Sequence, residues 1–219
     1  MKTIWIYVLA GVCSYLLAGV NPSILLSRAI YHQDIRTLGS GNPGFTNFKR
    51  VFGGRYAWYV FALDILKNLV LCLVFCPLFA RVTGYYHLGA AYVGLCAMLG
   101  HAFPVWYRFK GGKGFLVGAT AIWFIDWRTA LAAAVLWGLL LATTKYMSLS
   151  VILAAASCPV MLLCLGTRPI ATTILCAAGS TLMIVRHHEN IRRLCQGTES
   201  KFRLFGKKPR GENAESAEA

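Results

Sequence analysis

The chain has 219 residues, 57% of them hydrophobic and 14% charged, well below the roughly one quarter of charged residues in water-soluble domains. Its apolar segments leave no room for a separate soluble domain. The net charge of +14, from 22 Lys+Arg against 8 Asp+Glu, fits an anionic lipid surface or an anionic substrate; because the basic residues lie between apolar runs, it does not suggest nucleic acid.

In chain order the apolar segments are 4–26, 57–80, 88–106, 115–125, 129–144, 148–165 and 170–185. A perpendicular helix needs about 20 residues to cross the hydrocarbon core. The fourth and fifth segments are shorter and flank Asp126, Trp127 and Arg128, so charge has to decide whether they are one span or two. With seven spans and the N-terminus outside, the inner loops and tail carry 17 Lys+Arg and the outer side 4, leaving Lys67 within a span. Fusing the two short segments breaks this bias, which the positive-inside rule requires. The expectation is an all-α integral membrane protein with seven transmembrane helices, N-terminus outside and C-terminus cytoplasmic. The two short spans thin the bilayer locally or tuck within the bundle. Residues 1–205 form one transmembrane domain, and 206–219 form a disordered cytoplasmic tail. A single Lys2 before the first apolar run, with five basic residues after it, reads as an uncleaved span and not as a signal peptide.

Three polar clusters then fall on the inner face. The first, GSGNPG at 39–44, formally matches a dinucleotide fingerprint, but the polar YHQDIRT precedes it where a strand is required. What survives is a glycine loop whose backbone N–H groups can cup an anion. Ser40, Asn42, Thr46 and Asn47 add neutral donors, and Lys49 and Arg50 add charge. The second cluster, HAFPVWYRFKGGKG at 101–114, places Lys110 and Lys113 around Gly111 and Gly112 and ends in Gly114. It lacks the Walker pattern and any nearby acid for Mg²⁺. A phosphate role outweighs that of a simple positive anchor. The third, RHHENIRRLCQGTESK at 186–201, places His187 and Asn190 three apart on one helix face at the start of an interfacial helix. Two histidines without a third ligand make no metal site. KYMSLS at 145–150 adds a cation and the Ser148 and Ser150 hydroxyls. Within the second span, Asp64 and Lys67 stand at i, i+3, the spacing of a structural ion pair. Five tryptophans (5, 58, 106, 123 and 127) lie near span ends as an interfacial belt.

Taken together and in this order, the three motifs resemble those of the bacterial acyl-phosphate:glycerol-3-phosphate acyltransferases, over residues from about 21 to 205. The resemblance implies seven spans with cytoplasmic motifs in the bacterial inner membrane. It implies transfer of a fatty acyl group from acyl phosphate to the sn-1 hydroxyl of glycerol 3-phosphate, giving lysophosphatidate and phosphate. It requires no metal or cofactor, no covalent acyl-enzyme and no obligate protein partner. The partners are the two substrates and membrane lipid. The H-x-x-x-x-D motif of another acyltransferase class is absent at all five histidines.

Residue by residue, the resemblance implies substrate binding by Ser40, Asn42, Asn47, Arg50, Lys110, Gly111, Gly112, Lys113, Gly114 and Ser148. It implies catalytic roles for His187, Asn190 and Ser40, with Ser40 as a ligand and not a nucleophile, and structural roles for Glu199 and Lys201. Phe45 stands where the family usually carries alanine. Either His187 or a substrate phosphate oxygen takes the hydroxyl proton. The alternative from another class is a transporter of a phosphorylated metabolite, which would need polar residues along several spans. Apart from Asp64 and Lys67 these spans are apolar.

Overall fold

The computed structural model describes residues 2–202, so the expected tail at 206–219 lies outside the described residues. Ten α-helices follow one another: α1 (Lys2–Gly19), α2 (Pro22–Tyr31), α3 (Phe45–Phe52), α4 (Gly54–Thr83), α5 (Tyr86–Ala102), α6 (Phe115–Ile125), α7 (Trp127–Thr144), α8 (Met147–Leu165), α9 (Ile170–Arg186) and α10 (His188–Cys195). A helix stands at each of the seven apolar segments.

Five stretches among the described residues are long and apolar enough to cross a bilayer: Thr3–Tyr31, Gly54–Thr83, Tyr86–Tyr107, Trp127–Thr144 and Met147–Leu165. A sixth arises if α9 and α10 count together across their 57° bend. At about 1.5 Å per residue, the 11-residue α6 spans only some 17 Å, little more than half of the hydrocarbon core.

The breaks have local causes. Asn21 caps α2 by accepting from the Ile24 N–H at 3.0 Å, and Pro22 opens that helix, where its missing N–H costs nothing. The first apolar run is therefore two helices and extends to Tyr31. Asp126 ends α6 and begins α7, accepting from the N–H groups of Arg128 and Thr129 at 3.0 and 3.1 Å. That cap separates the two short segments which the sequence kept apart.

Helix α5 is the hub and touches α1, α4, α6 and α9. In its span 61% of the apolar stretch is buried, against 17% to 39% in the other four. Small residues make this close packing possible, as in other membrane bundles. A Cβ at Gly100 would lie 2.0 Å from the Tyr15 carbonyl oxygen on α1, so only glycine allows the two backbones to approach. Each of α1, α4, α7 and α8 carries several exposed large apolar side chains, as lipid-facing surfaces require.

The intramembrane ion pair exists and has a third member. The Lys67 ammonium has three donors and uses each: Asp64 Oδ1 at 2.8 Å, His101 Nδ1 at 3.0 Å and the Val20 carbonyl oxygen at 3.1 Å. Removing Asp64 would strand a charged ammonium within the bundle. Asp64→Leu is expected to cost about 3–5 kcal/mol, read as a lowered unfolding midpoint in detergent. The double variant Asp64→Leu/Lys67→Leu should recover most of that loss.

Candidate active site

A single cavity of about 2010 Å³ opens where the three polar clusters meet. Its walls include Ser40, Asn42, Asn47 and Arg50 from the first, Lys113 and Gly114 from the second, and His187, Asn190, Glu199 and Lys201 from the third. Ser148 joins them from the start of α8. Beyond this polar mouth the cavity continues between α5, α6, α7 and α8, past Leu95, Met98, Trp123, Trp137 and Leu141.

The first loop is held by asparagines. Asn21 donates from Nδ2 to the Pro43 carbonyl oxygen at 3.1 Å. Asn47, 2% exposed, accepts from the Ser40 N–H at 2.9 Å and donates to the Leu38 carbonyl oxygen at 3.0 Å. Asn47 thus spends its amide on shaping the loop, although it lines the cavity. Gly39 has φ +58°, and a Cβ there would lie 2.4 Å from Asn47 Oδ1, so this turn admits glycine alone. Arg50 reaches across to donate to Ser200 Oγ at 2.9 Å, tying α3 to the segment after α10. Phe45 forms an aromatic wall with Trp58 and Phe61, centroids 5.3 and 5.4 Å away, with the Lys49 ammonium 5.9 Å from its ring.

The glycine–lysine loop lies flat against the end of α5. Gly111 N–H bonds to the Ala102 carbonyl oxygen and Gly112 N–H to that of His101, at 3.2 and 3.0 Å. Arg186, at the end of α9, donates to the carbonyl oxygens of Gly111 and Gly112 at 2.9 and 3.3 Å. Its guanidinium also lies 5.2 Å from the Phe103 ring. A Cβ on Gly111 would meet the His101 carbonyl oxygen at 2.1 Å, and one on Gly112 would meet His101 Nε2 at 2.2 Å. The strapped loop delivers Lys113 into the cavity, where its ammonium donates to Asn190 Oδ1. Burial, with Arg193 nearby, brings the Lys113 ammonium down to about 8.

Not every predicted ligand shares this cavity. Lys110 and Gly111 line a separate cavity of about 750 Å³ on the other side of the loop. Gly112 packs on His101. The cause is the backbone: Arg108 and Phe109 both adopt left-handed conformations, φ 55° and 59°, and turn Lys110 away from Lys113. Sequence spacing carries no sign of this.

Glu199 organises the third cluster. It accepts from Asn190 Nδ2 and Arg193 Nε, both at 2.6 Å, and from Ser148 Oγ at 2.7 Å. Burial alone would raise its carboxyl, but these three donors outweigh burial and hold it below the ordinary range. Ser148 is thereby engaged in support of Glu199 and Asn190. His187 faces the Met183 carbonyl oxygen from Nδ1 at 2.8 Å. A carbonyl only accepts, so the proton sits on Nδ1 and Nε2 keeps its lone pair. Burial brings this imidazole down to about 4, a backbone hydrogen bond to Met183 partly opposing. It is neutral at physiological pH.

The description "Glycerol-3-phosphate acyltransferase" belongs to the family model that matches residues 8–197. The chain belongs to that family. A glycerol-3-phosphate acyltransferase of Geobacter sulfurreducens is 38% identical over 192 residues, 87% of this chain and 94% of its own. One from Coxiella burnetii (strain CbuG_Q212) is 32% identical over 198 residues, 90% of this chain and 99% of its own. The crystal structure of PlsY (YgiH), an integral membrane glycerol 3-phosphate acyltransferase, in its glycerol 3-phosphate form has a TM-score of 0.79 at 30% identity. It covers 93% of this chain and 96% of its own. The lysophosphatidic acid form gives a TM-score of 0.76 at the same identity. The family member described here is thus an all-helical integral membrane protein.

Residues outside the predicted site set complete the arrangement. Asn21 and Arg186 fix the two loops from a distance, and Arg193 anchors Glu199. The contacts of Asn21 and Arg186 span 22 and 74 to 75 residues, so of those two only the Asn-Pro pair at 21–22, a helix-start signal, was open to sequence reading; the contact of Arg193 spans six residues.

Proposed function

We propose that this protein transfers a fatty acyl group from acyl phosphate to the sn-1 hydroxyl of glycerol 3-phosphate. The products are lysophosphatidate and inorganic phosphate. One transmembrane domain over residues 1–205 spans the bacterial cytoplasmic membrane seven times, N-terminus outside, with the large cavity facing the cytoplasm. The 17-to-4 division of basic residues supports that orientation.

One observation carries the reading: Lys113 and Asn190 meet where a cationic mouth joins a long apolar arm. Glycerol 3-phosphate takes the mouth, bound by Arg50, Lys113 and the donors of the 39–47 loop, including Ser40 and Asn42. The acyl chain lies along the arm. The glycerol hydroxyl attacks the acyl carbonyl, an ester C–O bond forms, and the bond from carbonyl carbon to phosphate oxygen breaks. The hydroxyl proton passes to the departing phosphate. His187, neutral through burial, accepts a hydrogen bond from the hydroxyl at Nε2 and orients it; Asn190 holds Lys113. Acyl phosphate is already activated, so no acyl-enzyme forms. Two phosphorylated substrates explain a cavity rich in cations and amide donors, whose two carboxylates among the described residues are already engaged, Glu199 by Asn190, Arg193 and Ser148 and Asp64 by Lys67. Holding both reactants in line supplies about 7–11 kcal/mol of the barrier.

Purified protein in lipid vesicles, given radiolabelled glycerol 3-phosphate and palmitoyl phosphate, is expected to yield labelled lysophosphatidate. Palmitoyl-CoA and palmitoyl acyl carrier protein should give little. Trapping of unmodified glycerol 3-phosphate inside the vesicles would instead indicate a carrier.

Lys113 sets the pH dependence. It must be protonated to hold a phosphate, and it is so below its value of about 8. The rate constant kcat/KM, which reports groups in the free enzyme, should fall as pH rises through about 8. In Lys113→Arg that limb should vanish from the assay range, since a guanidinium stays charged.

A further inference from the structure

The second cavity is separate from the large one and is rich in cations. It lies at the ends of two candidate spans, Thr3–Tyr31 and Tyr86–Tyr107. Five cations line it: Arg28, Arg36, Arg108, Lys110 and Arg186. Its one carboxylate, Asp34, is already paired to Arg36 at 2.7 Å and to Arg28 at 2.8 Å. Those contacts outweigh burial and hold Asp34 well below the usual carboxylate range, so it stays charged and committed. Arg36 further donates to the Tyr107 carbonyl oxygen at 3.1 Å, and Arg186 to those of Gly111 and Gly112. Arg108 and Lys110, both exposed, have no side-chain hydrogen-bond or ion-pair partner among the described residues.

The rim points to the source of the anion. Val105, Trp106 and Phe109 are exposed at 44%, 55% and 58% around these cations. Trp106 Nε1 donates to the Leu16 carbonyl oxygen at 2.9 Å, which fixes the indole against the end of α1. Exposed aromatics beside cations at span ends match the headgroup level of a bilayer. Clusters of Lys and Arg there attract anionic lipid.

We propose that this cavity binds the phosphate of an anionic glycerophospholipid from the inner leaflet. Arg108 and Lys110 contact the phosphate, Arg36 and Arg186 supply the surrounding field, and the acyl chains leave past Trp106 and Phe109. Because Lys110 and Lys113 are the two ends of one strapped loop, the lipid site and the large cavity share a wall. The assignment does not depend on acyl transfer, since it is tested by binding.

The test is native mass spectrometry of the full chain released from micelles containing phosphatidylglycerol or phosphatidylcholine with matched acyl chains. The wild type is expected to retain one phosphatidylglycerol at least fivefold more than phosphatidylcholine. Arg108→Asn/Lys110→Gln should lose that preference, asparagine being chosen because it tolerates the left-handed backbone at 108. Lys113→Gln should keep it, separating this site from the large cavity. Should the double variant fail to fold, Lys110→Gln alone, at an exposed side chain, is expected to cut retention severalfold. Equal retention of both lipids overturns the proposal. So does undiminished retention by the variants, or displacement of the lipid by 10 mM-scale inorganic phosphate, which would mark a free-phosphate site.

Discussion

Lys113→Ala is expected to lower kcat/KM for glycerol 3-phosphate by about 10²–10³-fold, the scale of losing one preorganised charge at a reacting phosphate. The side chain is largely buried, bonded to Asn190, and delivered by a loop that Arg186 and the end of α5 hold in place. No other described lysine donates to Asn190, so no neighbour can take its place. The helical far-UV signal should be unchanged, because the Lys113 contact lies at the cavity wall and not in the packed core. Lys110→Ala provides the contrast: facing the other cavity, it should leave turnover within about twofold, the behaviour of a surface change away from the site. Equal losses in both variants would place the two lysines in one site and contradict the geometry.

Gly111→Ala should be nearly as damaging, by about 10²-fold in kcat/KM, although its side chain would never touch substrate. The new methyl would stand 2.1 Å from the His101 carbonyl oxygen and 2.5 Å from Pro104 Cδ. Neither can yield cheaply: the first is helix backbone and the second a proline ring. The loop must lift, and Lys113 and the Arg186 bonds move with it. A misplacement of about 1 Å is enough for a loss of this size. The signature is a fall in activity with the unfolding midpoint lowered only modestly. Retained wild-type turnover would show that the loop can relax without moving Lys113.

The same loop shows where sequence reading stops. The seven apolar segments were legible because hydropathy is a local property, and a helix stands at each. The Asp126 break was legible too, through the charge bias that called for two separate segments there; the cap that makes the break is seen only in the structure. The break at Asn21 was overlooked: the apolar residues around it outweighed a two-residue cap, and helix α2 extended past the expected end. At the site, the three motifs could be set on one face by counting charges. Their internal division could not. Lys110 and Lys113 look equivalent in K-G-G-K, and only the paired left-handed residues Arg108 and Phe109 send them to different cavities. The resemblance implied that Asn47 and Ser148 bind substrate; in the structure both line the large cavity, and their hydrogen bonds go to the Ser40 loop and to Glu199. Polar residue type gives donor capacity, but folding decides what receives it. Arg186 was legible as a member of the third basic cluster but not as the strap on the glycine–lysine loop, since its partners lie 74 and 75 residues away.

The central claim is that segments distant in the chain bind one phosphorylated substrate together. Equilibrium binding of radiolabelled glycerol 3-phosphate to purified protein, without acyl donor, tests it directly. Arg50→Gln from the first segment and Lys113→Gln from the second should each weaken binding at least tenfold, and the double variant should bind no more than background. Wild-type affinity in either single variant would mean that the cationic mouth does not hold glycerol 3-phosphate.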